Sequence, residues 1–312
     1  MYDVHTHFVP ANVINWIKEN QKTINTTFQQ KDPNKEDFLV VDQKWGFELK
    51  EAFTNADLYL EEQNKAGISH SLVSPIPQLF LYDFPVKVTS ELASEYNRGL
   101  ADWVHTENKR LSALATVPLN DPEKAAEELK HSLSVGLKGA IIAPMCADKM
   151  ITDEFFTPFW EEANKLGAII FLHPLLNNDP RIKKRKMPNL IGVPWETTVC
   201  ATDIVLSGML DNYPNVKILL AHGGGFLPFQ IGRMNKGYEM WGAVSENIQR
   251  PPLEYLNKFW FDSVLLHEDT LDYLARLVDK DKIVPGSDYP FDLASWPPTA
   301  QNERAVHSLL FG

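Results

Sequence analysis

Eight short apolar runs recur along this chain, with stretches of helical periodicity between them. They lie at Tyr2 to Pro10, His70 to Ser74, Leu111 to Val117, Leu137 to Ala143, Ala168 to His173, Val216 to Ala221, Phe259 to Val264 and Lys282 to Pro285. Runs of this length, bounded by Gly, Pro and polar residues, read as buried strands. Strands that alternate strictly with helices pair in parallel, because each helix carries the chain back across the sheet. Eight such units in 312 residues favour a closed (β/α)8 barrel. No Gly-x-Gly-x-x-Gly follows the first strand, which argues against an open dinucleotide-binding sheet. The expected fold class is therefore α/β, a TIM barrel forming a single domain over residues 1–312.

Local signals place the helices. Asn55 caps one that runs to Lys65 and closes at Gly67. Thr89 or Ser90 caps a long one to about Asn108, with Leu92, Tyr96, Leu100 and Trp103 at helical spacing. Asp121-Pro122-Glu123 starts the next, which ends at Gly136. Thr152-Asp153 opens a helix ending at Gly167, and another spans Glu196 to Asp211. Pro228 begins a further helical stretch, and Asp269-Thr270 caps Leu271 to Val278. Ala11 to Lys50 is polar and too long for an ordinary connection, which predicts an inserted loop or small lobe over about 11–50. A basic, Pro-containing loop crosses Asn177 to Pro194.

The composition excludes several classes of function. Hydrophobic residues make up 44% and aromatic residues 11%, enough for a sizeable core. A net charge of −11 disfavours a nucleic-acid partner, which needs a basic face. Apolar runs are strand-sized and far short of a membrane span. Cys146 and Cys200 are too few for a disulfide framework or a zinc knuckle and read as reduced core thiols. The first strand begins at residue 2 and leaves no room for a signal peptide. The expectation is a cytoplasmic protein acting on a small molecule.

Side chains two apart on a strand share a face, so His5 and His7 point the same way. Two imidazoles side by side are half of a metal site, although a His-x-His pair alone is a common surface feature. Downstream residues add to it. His173 ends the fifth strand, His222 the sixth, and Asp288 the eighth. Functional side chains of a (β/α)8 barrel gather at the C-terminal strand ends, so four of the nine histidines and one aspartate converge on one rim.

The motifs around these residues resemble those of the amidohydrolase superfamily. They are His5-Thr-His7, Phe171-Leu-His173-Pro, Ala221-His222-Gly-Gly-Gly and Gly286-Ser-Asp288-Tyr-Pro-Phe291. Three further stretches are similar to its amidohydrolase 2 branch, which contains α-amino-β-carboxymuconate-ε-semialdehyde decarboxylase. These are His222 to Arg233, Asp262-Ser263 followed by His267, and Asp281 to Phe291. The resemblance covers nearly the whole chain. It implies His5, His7, His173 and Asp288 as metal ligands, and His222 as an acid/base residue with Asp288 beside it in catalysis. It also implies that Arg233 contacts a substrate carboxylate across a subunit boundary, hence a homodimer. A second arginine of the family pattern falls at Lys50, which keeps the charge but loses the bidentate fork. The family also leads us to expect more chain beyond Phe311-Gly312.

Many members of the superfamily bridge two metals with a carbamylated lysine at the end of strand 4. Here that strand ends Ile142-Ala143-Pro144, with Lys138 at its start, so a single ion is expected. Three imidazoles and a carboxylate leave it a position for water, whose pKa falls towards about 7. Zinc is the first expectation, and manganese, cobalt and iron also suit the ligand types. The implied activity is non-oxidative decarboxylation of a small unsaturated or aromatic carboxylic acid by metal-bound water and His222. A lactone or amide hydrolase or a hydratase could use the same site, and a non-catalytic ligand-binding barrel is the alternative from another class. Phe291 is expected to touch substrate, and Trp195 and Trp296 either line the pocket or pack. Asp262 and His267 either order loops or belong to the site. His70, His105, His131 and His307 read as structural or exposed, and Lys183 to Lys186 as a solvated loop.

Overall fold

The structure is a computed structural model and describes residues 1–30, 37–146, 148–177 and 179–312. Parts of the expected lobe and basic loop, residues 31–36 and 178, lie outside the described residues. The chain opens with β1 (Tyr2–His7) and α1 (Ala11–Asn20), then β2 (Thr27–Gln29), β3 (Phe38–Val41) and β4 (Trp45–Glu48). Next come α2 (Ala56–Lys65), β5 (His70–Ser74), α3 (Val86–Thr106), β6 (Leu111–Ala113), α4 (Pro122–Ser134) and β7 (Gly139–Ile142). A small ribbon, β8 (Met145–Cys146) and β9 (Lys149–Met150), precedes α5 (Thr157–Leu166) and β10 (Ile169–Leu172). The rest is α6 (Val193–Leu206), β11 (Lys217–Leu220), α7 (Leu227–Met240), β12 (Phe259–Asp262), α8 (Glu268–Leu277), β13 (Ile283–Val284) and α9 (Glu303–Leu310).

The eight expected strands are β1, β5, β6, β7, β10, β11, β12 and β13, and they pair in parallel as two sheets, β1-β5-β6 and β13-β12-β11-β10-β7. Parallel bridges Ala115–Ala140 and Thr6–Tyr289 join the sheets at both seams. Ala115 N donates to Gly139 O at 2.8 Å, and Val4 N to Pro285 O at 2.8 Å, so the cylinder closes.

Alternation of side chains divides the apolar residues between two cores. Inward-facing Val4, Leu72, Leu114, Ile141, Phe171, Leu219, Trp260 and Val284, one from each barrel strand or its continuation, form a single cluster. Ala305, Val306, Leu309 and Leu310 of α9 join that cluster and plug its base. Outward-facing Ile170, Leu172, Ile218 and Phe261 pack instead with helix residues such as Leu129, Phe159, Ile204 and Leu274.

Several boundaries differ from the sequence reading. In the described part of the stretch after β1, α1 buries Val13 and Ile17, and β2, β3 and β4 form a three-stranded antiparallel sheet. The Val13, Ile14 and Ile17 spacing is helical, but the Asn- and Gln-rich flanks mask it. Helix α3 starts at Val86 behind Pro85, so Thr89 lies inside it and its hydroxyl donates to Val86 O and Asn120 Oδ1. Helix α6 starts at Val193 and stops at Leu206, because Gly208 adopts φ 77 and breaks the axis. Asp153 caps a 3-10 turn over Glu154–Phe156 rather than α5 itself. His267 replaces Asp269 as the cap of α8, its Nδ1 accepting from Asp269 N at 3.2 Å. The caps Asn55 and Asp121 stand where expected.

Candidate metal centre

The C-terminal ends of the barrel strands bring His5, His7, His173, His222 and Asp288 together. His5 Nε2 lies 3.1 Å from His7 Nε2, and Asp288 Oδ1 lies 3.2 and 3.3 Å from those two nitrogens. One ligand atom from each of His5, His173, His222 and Asp288 falls within 4.8 Å of the others. His5 and His7 are fully buried, His173 is nearly so, and Asp288 sits at 9% exposure at the mouth.

The outer contacts decide which nitrogen each ring presents. His5 Nδ1 donates to Asp262 Oδ2 at 2.6 Å, His7 Nδ1 to Pro75 O at 3.1 Å, and His173 Nδ1 to Pro174 O at 3.0 Å. In the neutral ring, with Nδ1 protonated, each Nε2 has its lone pair for the centre, and a bound cation takes the place of the His5 Nε2 proton. His5 Nε2 and His7 Nε2 lie 3.1 Å apart, and His173 Nε2 is buried without a partner. Asp288 Oδ1 likewise lies close to two rings without the geometry of a hydrogen bond. Imidazole nitrogens and a carboxylate converging with free lone pairs are a donor set that fits one divalent cation. Ala143 and Pro144 follow β7, so the end of this strand offers no lysine to bridge a second ion.

Asp262 is the hub beneath the centre. Besides the His5 ring it accepts His222 N at 2.9 Å, Gly223 N at 2.8 Å and Val264 N at 3.1 Å. A Cβ at Gly286 would stand 2.9 Å from His5 Cβ and 3.0 Å from Asp262 Cβ, so only glycine lets these two side chains meet. His222 and Asp288 both hold left-handed backbones, φ 55 and φ 66, which is uncommon outside glycine and recurs at functional sites. Asp288 N is tied to His5 O at 2.8 Å. Asp3, which the sequence reading passed over, is fully buried and joins β1 to the β13 end through Ser287 Oγ at 2.5 Å.

Electrostatics follow from burial and pairing. Burial opposes a charge on His5, yet Asp288 and Asp262 beside it raise its pKa to about 10 in the metal-free site. Burial is the main reason that His7 and His173 are pushed down, to the neutral form that binds cations. Burial pushes Asp288 up, but His5, His222 and His7 outweigh it and hold the carboxylate well below its ordinary range.

The remaining expected residues divide. The Phe291 ring packs edge-on against His7 at 5.2 Å and so reaches the centre. Lys50 approaches the same loop, where its Nζ donates to Pro290 O at 2.9 Å and pairs with Asp292 at 2.8 Å. Arg233 is exposed on α7 and pairs with no described residue. Trp195 stacks with Arg181 and lines an apolar groove with Val199, Phe226, Phe229 and Tyr273, beside rather than over the histidines. Trp296 stacks on Tyr289, and His267 serves as a helix cap. Lys183 to Lys186 are solvated, and both cysteines are free and buried.

A model of the amidohydrolase family matches residues 2–308. The chain belongs to the amidohydrolase family. It is 31% identical over 302 residues to 2-amino-3-carboxymuconate-6-semialdehyde decarboxylase of Dictyostelium discoideum, covering 95% of this chain and 83% of that protein. This amidohydrolase is an enzyme of the family's decarboxylase branch. Its fold matches the IDCase of Metarhizium anisopliae with TM-score 0.82 at 23% identity, over 99% of this chain and 91% of that one. It also matches dihydroxybenzoic acid decarboxylase of a Polaromonas species, solved with manganese and 2-nitroresorcinol. There the TM-score is 0.76 at 21% identity, over 99% of this chain and 96% of that one.

Proposed function

We propose that this chain is a metal-dependent, non-oxidative decarboxylase of a small unsaturated or aromatic carboxylic acid. The observation that carries the reading is the set of Nε2 atoms fixed by Nδ1 donation and aimed, with Asp288, at one point. His5, His7, His173 and Asp288 would hold a single divalent cation. When bound, the ion supplies Lewis-acid polarisation of the substrate's oxygen atoms. Zinc is the expectation from the ligand types, and manganese, present in the Polaromonas structure, is the alternative.

His222 is the group placed to move a proton. Its Nδ1 is buried without a partner and its Nε2 stands 3.6 Å from Asp288 Oδ2, so no strong hydrogen bond locks the ring. As the bond to the carboxyl carbon breaks, the electron pair stays on the ring or chain carbon. That carbon takes the proton from His222, CO2 leaves, and solvent reprotonates the imidazole. Asp262, through the His222 and Gly223 amides, holds this loop in register with His5. Phe291, and Lys50 next to it, border the substrate.

Arg233 completes the site in a homodimer, reaching a substrate carboxylate of the second subunit. Its exposure, and the exposed Phe229, Met240 and Trp241 on or next to the same helix, support a face covered by another copy. No described helix is long and apolar enough to cross a membrane, and two free thiols accord with the cytoplasm. Metal analysis coupled to a screen of carboxylic acids for released CO2 tests the reading. Stoichiometric metal with CO2 from an unsaturated or aromatic acid supports it, whereas turnover of lactones or amides without CO2 refutes it.

A further inference from the structure

Consecutive side chains of a regular strand face opposite ways, yet Val4 and His5 both reach the barrel interior. Val4 lies in the inner cluster, and the His5 ring meets Phe171 of that cluster at 4.8 Å. The pairing of β1 with β5 shows how. Asp3 stands opposite Ser71 and Thr6 opposite Val73, so β1 takes three steps where β5 takes two. One extra residue of this kind is a β-bulge, which re-aims a side chain and leaves part of the ladder unpaired.

The Asp3 side chain supplies the missing partner. Its Oδ1 accepts His5 N at 3.2 Å, inside the bulge, and Ser287 N at 3.1 Å from the neighbouring strand end. Its Oδ2 accepts Ser287 Oγ at 2.5 Å. A buried carboxyl group is costly unless its oxygens are bonded, and this one is fully buried with both in use. Ser287 Oγ in turn accepts Tyr289 N at 3.0 Å, and Tyr289 O accepts His7 N at 2.8 Å. The residues on both sides of Asp288 are thereby fixed, and Asp288 between them holds its left-handed backbone, φ 66. Such a backbone persists in a residue other than glycine when its surroundings over-determine it.

We propose that Asp3 and Ser287 are positioning residues for the metal centre. One end of their link shapes the bulge that aims His5, and the other shapes the turn that presents Asp288. Together they set the 3.2 Å approach of Asp288 Oδ1 to His5 Nε2 across 284 residues of sequence. The proposal rests on the metal-dependent reading and deepens it by naming what holds two of the ligands in register.

The test loads Co2+ into wild type, Ser287→Ala, Asp3→Ala, Asp3→Asn and Tyr59→Phe. Affinity is read by competition with a chelating dye, and ligand geometry by visible absorption. Ser287→Ala and Asp3→Ala should each lose about tenfold or more in affinity and change the Co2+ spectrum, the scale seen when a ligand's outer support is removed. Asp3→Asn keeps Oδ1 for both backbone amides. Its new amide donates to Ser287 Oγ, whose hydroxyl then turns to His5 O, 3.4 Å away, so affinity should stay within a few-fold of wild type. Tyr59→Phe breaks the buried 2.7 Å bond to Thr6 Oγ1 on the same strand, outside the bulge. It should lower the melting temperature and leave affinity and spectrum unchanged. Wild-type affinity in Ser287→Ala, an equal loss in Tyr59→Phe, or Asp3→Asn as weak as Asp3→Ala overturns the assignment. Should Asp3→Ala fail to fold, Ser287→Ala against Tyr59→Phe decides. All of this is read without turnover. The expected pattern in a protein that releases CO2 from no acid refutes the decarboxylase reading alone, and a wild type that binds no divalent ion removes the centre before any variant is made.

Discussion

The two ends of the barrel handle polar groups in opposite ways. At the base, Lys217 spends its ammonium on three carbonyls of the closing segment, Ser308 O at 3.2 Å, Leu309 O at 3.1 Å and Gly312 O at 2.7 Å. Lys282 sits over the Trp260 ring at 3.3 Å, and Lys138 over Phe311 at 5.3 Å. The Trp260 indole nitrogen is an unpartnered exception at this end. At the mouth, unpartnered atoms accumulate, and His222 and Asp288 hold left-handed backbones. Satisfied groups stabilise, whereas unsatisfied ones cost stability and persist where a ligand will meet them. One end of the fold is built to stay closed, and the other to be completed by cation and substrate.

Four experiments can break or sharpen this contrast. Chelation should abolish CO2 release and metal return should restore it, with α9 still docked as judged by proteolysis at the C-terminal segment. Replacing His222 by Asn should lower kcat by about a thousandfold, the scale of general acid catalysis, while metal content is unchanged. Full activity in that variant would remove His222 from the proposal. Leu309→Ala should destabilise the base by about 2–5 kcal/mol in denaturant titrations and leave kcat/KM of the folded fraction alone. Asp262→Asn removes the charge beside His5 and turns one of the two acceptor oxygens serving His5 Nδ1, His222 N, Gly223 N and Val264 N into a donor, and should cost about 10–100-fold in metal affinity, read by competition with a chelating dye. A base variant that altered metal affinity, or Asp262→Asn that did not, would erase the distinction between the ends.

Much of the mouth was legible because its signals are local. His5 and His7 sit two apart on a strand, and His173, His222 and Asp288 each follow an apolar run whose end can be read from the next Pro or Gly. Asn55 and Asp121 announced their helices through side chains bonding three residues on. The misread places are those where one local signal outweighed another or was hidden by its flanks. Pro85 starts α3 early, Gly208 breaks α6, and α1 hid between polar flanks although Val13 and Ile17 are fully buried.

Residue chemistry and strand period were enough to fix the barrel, its inner and outer faces and the five side chains at its rim, since both repeat within a few residues. Only the tertiary structure decided what those side chains present to one another. The Asp262 link from His5 to the His222 loop joins residues 257 and 40 positions apart, and the His7 contact with Pro75 spans 68. A ring's tautomer depends on its outer acceptor, and that acceptor is set by how strands meet rather than by their order.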